Sequence, residues 1–237
     1  MKEAKRNAPA ANYCTTGEKP WPLTPNQWLV YYWLLAHSKW NYGQREDHYF
    51  IYDNSYKKKT IQKDCGIKSD KTVASAFKKL EEVGAIYRLE EQKAYWIFYS
   101  TVYTPIDVRI IKFFLAFNKH LNSAAMIELY CVLRRIKVYD NEPYEFTISV
   151  LAKLMNKLRW NSDKQEVWLM LSIFKNAGLV EITEHPYVNN MGVECVKYIL
   201  NNIADSGEGL KNYFVEDEID IEEQQLTNLI SCAKLMI

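Results

Sequence analysis

The chain has 237 residues, 48% of them apolar and 25% charged, with a formal net charge of +1. Such a composition suits a globular protein that buries one large core or two modest ones, and it excludes a disordered or fibrous chain. No run of eighteen apolar residues offers a membrane span, and five scattered cysteines without a Cys-x-x-Cys pair argue against a disulfide framework or a zinc site.

Residues 1–21 are polar, with small residues and two prolines, and lack the apolar centre of a signal peptide. They read as a flexible arm of a cytoplasmic protein. Leu23-Thr24-Pro25-Asn26 starts a helix, with Thr24 as cap and Pro25 at the first helical position. That helix is expected to run to residue 40 and is apolar nearly all round, so two faces are buried. One packs on its own domain and the other on a second domain or a second copy. HYFIYDNSY follows as a short strand. TIQKDCGI reads as a short helix, and Ser69 caps a second helix that stops at Gly84. AIYRL and AYWIFYS then form a hairpin with residues 90–93 at its turn. Two helices joined by a turn and followed by a hairpin are the layout of a winged helix, whose second helix enters the DNA major groove.

The pattern returns. Counting back from Gly84, the apolar face of the helix is Val83, Leu80, Phe77, Ala76 and Val73. Counting back from Gly178, it is Ala177, Phe174, Leu171, Met170 and Val167 at the same offsets. Each helix follows a Ser-Asp-Lys triplet (Ser69 to Lys71, Ser162 to Lys164), and the second copy carries one extra residue between triplet and glycine. A domain junction is placed near Tyr103-Thr104-Pro105. Beyond it lie a connecting helix, a long helix from Ser123, an extended segment at 142–147, the helix SVLAKLMNKL and a second hairpin. The expected fold is mostly α with small β-hairpin wings (α+β): two tandem winged-helix domains at 22–104 and 105–204. An acidic linker and an amphipathic helix follow at 205–237, with Ile219, Leu226, Leu229, Ile230 and Leu235 on its apolar face. Cys131 and Cys195 lie in apolar patterns and read as core residues.

The charge is polarised along the chain. Residues 53–80 hold eight lysines and three aspartates, while residues 205–223 hold eight acids and one lysine. A nucleic acid responds to such a local patch rather than to the total. The candidate DNA face is Lys57, Lys58 and Lys59 before the first short helix, with Lys63, Lys68, Ser69, Lys71, Thr72, Ser75, Lys78 and Lys79 around the second. Lys93 lies in the wing turn. Lysines there release condensed counterions, and Thr72 and Ser75 reach base edges. No arginine lies on this helix, so the bidentate Arg–guanine contact is absent from it. The second copy offers a weaker face, Lys153, Lys157, Arg159 and Lys164, for DNA, self-association or another protein. The four histidines lack metal spacing, no phosphate loop or nucleophile elbow exists, and the acidic run 216–220 lacks a calcium loop. Neither an enzymatic activity nor a cofactor or metal is expected.

The long apolar helix, the extended Tyr49–Tyr52 stretch and TIQKDCGIKSDKTVASAFKKLEEVGAIYR resemble the replication initiator and replisome-organiser proteins of low-GC Gram-positive plasmids and phages. The resemblance covers residues 22–102, with a looser echo over 107–203. It implies winged helices that bind iterated double-stranded origin DNA as a homodimer, and a further segment that recruits host replication proteins. A winged-helix transcriptional regulator, and a protein-interaction scaffold using the acidic tail, are the alternatives the residues leave open.

Overall fold

The structure, a computed structural model, describes residues 7–11, 21–40, 49–99, 103–140, 142–158, 160–204, 207–215 and 218–235. It is an α+β protein with small antiparallel sheets. Strand β1 (Asn7–Ala11) precedes helix α1 (Pro25–His37), strands β2 (Lys39–Trp40) and β3 (Tyr49–Tyr52), and a 3-10 turn at Asp53–Ser55. Helices α2 (Lys58–Asp64) and α3 (Asp70–Glu82) and strands β4 (Ile86–Leu89) and β5 (Ala94–Ile97) complete the first unit. Its sheet runs β2-β3-β5-β4. Strand β6 (Tyr103–Asp107), helix α4 (Val108–Ala116) and a 3-10 turn (Phe117–Lys119) lead to the second unit. That unit is α5 (Ser123–Asp140), β7 (Tyr144–Phe146), α6 (Ile148–Lys157), α7 (Lys164–Asn176), β8 (Val180–Val188) and β9 (Glu194–Ile203), with sheet order β7-β9-β8. The same succession of helix, strand, two helices and hairpin therefore occurs twice.

The two copies share their helix ends in detail. Gly84 and Gly178 take φ of +71° and +69°. In the first copy the Gly84 amide donates to the Glu81 carbonyl and the Ala85 amide to that of Leu80. In the second, Gly178 donates to Lys175 and Leu179 to Phe174. This is the Schellman arrangement, which satisfies carbonyls that the helix leaves open and needs a left-handed residue. At the other end the caps differ. Ser69 accepts from the Thr72 amide, whereas in the second copy Asp163, not Ser162, accepts from Glu166. Both helices are then 13 residues long. The extra residue sits in the turn between α6 and α7, because aspartate caps a helix as well as serine does.

Helix α1 is buried from Trp28 to Ala36. It packs on α3 of its own unit and on α4 and α5 beyond, so its second face meets the connecting helix and the second unit. One continuous core of buried side chains joins the two units. Four expectations are corrected. The first helix ends at His37, because Lys39 and Trp40 pair with Phe50 and Tyr49 instead. Residues 7–11 of the expected arm form a strand on β6. Cys195 is half-buried on the long second hairpin, while Cys65 joins Cys131 in the core. Leu235 follows the last helix and is 88% exposed.

The C-terminal segment forms a 3-10 turn at Gly207–Tyr213, a small pair of strands β10 (Phe214–Val215) and β11 (Glu218–Ile219), and helix α8 (Glu223–Lys234). Helix α8 lies on α7 and buries Leu226, Ile230 and Ala233. No described helix is long and apolar enough to cross a membrane.

Candidate nucleic-acid interface

The lysine run is presented by a pinned turn. After β3 the chain bends at Asp53, whose carboxylate accepts both ends of the Arg88 guanidinium on β4, at 2.5 and 2.6 Å. This fork holds the Asp53 carboxyl below the usual carboxylate range. Tyr56 stacks on Phe77 of α3, its hydroxyl donating to Asp53 at 3.4 Å. Arg88 also covers the Tyr95 ring at 4.7 Å. Asp53, Tyr56, Phe77 and Arg88 thus tie the turn to both the sheet and α3.

Lys57 then serves as the N-cap residue of α2, and Lys58 and Lys59 lie in its first turn, inside the helix rather than before it. All three are exposed. The first turn contains no acidic residue. Cations at this end oppose the helix dipole and the unpaired amides there. Folding alone does not account for three of them.

From α2 the chain reaches α3 through Gly66, at φ +59°. Asn118 donates to the Cys65 carbonyl from the turn after α4, and a Cβ on Gly66 would meet the Asn118 amide nitrogen at 2.9 Å. The left-handed backbone favours glycine here, and any side chain would also push on the Asn118 amide. Lys63, Lys68, Lys71, Ser75 and Lys78 are exposed along α2, the turn and α3. Among the described residues, no ion pair engages Lys57, Lys58, Lys59, Lys63, Lys68, Lys71 or Lys78. Lys79 pairs with Glu82 at 3.2 Å. The Ser69 and Thr72 hydroxyls lie 3.0 Å apart within the helix cap, so both are engaged in holding the helix start. Lys93 is exposed in the β4–β5 turn, at φ +46°.

The second copy differs in kind. At the positions of Ser75, Lys78 and Lys79, helix α7 has Leu169, Ser172 and Ile173, all buried. Helix α8 packs on α7. Its outer face is covered, so α7 has no exposed polar face matching that of α3. Lys153 and Lys157 remain exposed on α6, and Lys164 is the exposed first residue of α7. Arg159 lies outside the described residues.

Two features escaped sequence reasoning. Arg88 is remote in sequence from Asp53, and nothing in the pattern links them. Lys112, Lys119 and His120 on and after α4 meet carboxylates of the C-terminal segment, a pairing only the fold brings about. Among the described residues no group of three or more His, Cys, Asp or Glu side chains is placed to hold a metal. No protein family, curated protein or solved structure matches this chain.

Proposed function

We propose that the chain is a non-enzymatic, duplex-DNA-binding protein built from two winged helices, acting as a replication initiator or replisome organiser of a plasmid or phage. The observation that carries the DNA reading is the set of exposed lysines without ion pairs around α2 and α3, three of them at an N-terminal turn where the helix dipole opposes them. The twofold succession of helix, strand, two helices and hairpin supports the winged-helix reading. In it, α3 enters the major groove with Lys71, Ser75 and Lys78 outward, and α2 lays Lys57 to Lys59 on the phosphates. The second unit is the structural one, since α8 closes its equivalent helix. The replication role rests on the sequence resemblance.

Selection of preferred sites from a random duplex pool tests this reading. The wild-type protein returns a defined sequence, and K71A/S75A/K78A relaxes it by about 1–3 kcal/mol of discrimination for each base edge no longer read. The same preferred sequence from the variant removes α3 as the reader.

A further inference from the structure

Among the described residues, the acidic C-terminal segment makes no ion pair with Lys57, Lys58 or Lys59. It sits beside α2, over the cations of α4. Glu218 of β11 places Oε1 at 3.0 Å from Lys112 Nζ. Glu223, the first residue of α8, reaches two partners: its Oε1 is 2.7 Å from His120 Nε2, and its Oε2 is 4.0 Å from Lys119 Nζ. Lys112, Lys119, Glu218 and Glu223 border a cleft of about 390 Å³, lined also by Trp33 and His37 of α1, Ile219 and Ile221 of the tail, and Lys63 and Asp64 of α2. Lys63 belongs to the exposed basic surface described above. That surface therefore continues from α2 across the cleft to Lys112 and Lys119.

Burial is distributed unequally across these pairs. The Lys112 side chain is only 9% exposed, while Glu218 and Glu223 are 78% and 60% exposed. Lys112 is thus a fixed cation at the base of a cleft, met by a carboxylate from the solvent side. Asp64, the other acid in the cleft, already accepts from Trp33 Nε1 at 2.9 Å. A carboxylate and a phosphodiester both offer oxygens to ammonium groups through charge-assisted hydrogen bonds, so one can replace the other at the same cations. Helix α8 is anchored by the buried side chains of Leu226, which lines the same cleft, and of Ile230 and Ala233, not by its glutamates. The two glutamates can therefore leave their cations while the helix stays seated.

We propose that Lys63, Lys112 and Lys119 form a second phosphate-binding site for the DNA backbone, and that Glu218 and Glu223 occupy it in the free protein. This inference rests on the duplex-binding reading. The tail is then a built-in competitor: DNA reaches Lys112 and Lys119 by displacing these two carboxylates.

The test is the affinity of the full chain for one duplex across a salt series. It compares wild type, E218Q/E223Q, E218Q/E223Q/K119A, and E181Q/E184Q, which makes the same charge change on the exposed part of β8. Glutamine keeps the side-chain shape, and the melting temperature reports that α8 remains in place. E218Q/E223Q is expected to bind more tightly, by about tenfold at 50 mM salt for each phosphate gained, with a plot of log affinity against log salt steeper by about 0.9 per phosphate. Adding K119A takes back part of that gain, and E181Q/E184Q leaves the slope unchanged. A wild-type slope in E218Q/E223Q, while wild type binds duplex and K57A/K58A/K59A weakens it, overturns the second site and leaves the main interface standing. A gain that survives K119A, or that E181Q/E184Q matches, also overturns it. Failure of wild type and all variants to bind duplex overturns both readings.

Discussion

Arg88 is the residue on which the presentation of the lysine run depends, and R88A tests that dependence. The change removes two short bonds to Asp53, the stacking over Tyr95 and a weaker pair with Glu90 at 3.5 Å. Both partners of the fork are partly exposed, 24% for Arg88 and 36% for Asp53, so solvent screening discounts the pair to about 1 kcal/mol or less. The cation–ring interaction adds about 0.5–1 kcal/mol. A combined destabilisation of about 1–2 kcal/mol corresponds to a melting temperature lower by roughly 2–8 °C for a chain of this size. The pH dependence has a definite sign. Asp53 has a folded-state pKa below its unfolded value of about 3.9, so its contribution is complete above that value and is lost as pH falls through the folded one. Thermal melts of wild type and R88A should differ at pH 7 and converge as pH drops below about 4. Freed from its pin, the 53–56 turn should also hold Lys57 to Lys59 less firmly and lower duplex affinity severalfold. An unchanged melting temperature at pH 7, or a difference that does not shrink on acidification, refutes the pin.

Three further outcomes follow from the fold. S69A and D163A should each cost about 0.5–2 kcal/mol in urea denaturation, as removal of a helix cap does; equal stability of D163A and wild type would return the second cap to Ser162. L226A empties a buried position of α8 and should cost about 2–4 kcal/mol, whereas a cost near zero would mean that α8 is not seated. His37, stacked on Trp33 at 4.0 Å, is held by burial below its ordinary pKa. Protonation therefore favours the unfolded chain: stability is complete above about pH 6.5 and declines below it, and H37Q should flatten the stability curve in that range.

Much of this architecture was legible where local chemistry and periodicity agree. Gly84 and Gly178 end their helices, and the apolar residues counted back from them are buried or half-buried, because a helix stop and a 3.6-residue stripe are both written locally. Where two residues satisfy the same rule, the pattern was ambiguous: Ser162 and Asp163 are both good caps, and only the geometry chooses. Helix α1 hid its own end. A run that is apolar throughout has no stripe to break, and the strand pairing of Lys39 and Trp40 is a long-range event. The short strand at Asn7–Ala11 carries no alternation, so its pairing with β6 left no sequence signal. The candidate interface divides in the same way. Its lysines cluster in the sequence, but the Asp53–Arg88 fork and the Glu218–Lys112 pair join residues far apart along the chain. The covering of α7 was partly foreshadowed by Leu169 and Ile173, which stand where α3 has Ser75 and Lys79.

The proposed duplex interface places the Lys57–Lys59 run on phosphates. Its most direct test is the salt dependence of duplex binding by wild type and K57A/K58A/K59A, measured on a selected site and on a random duplex. The triple variant is expected to weaken both duplexes nearly equally and to flatten the log–log slope by about 0.9 for each phosphate no longer neutralised. An unchanged slope in the variant, or a wild-type protein that shows no salt-dependent binding to duplex DNA, would contradict it.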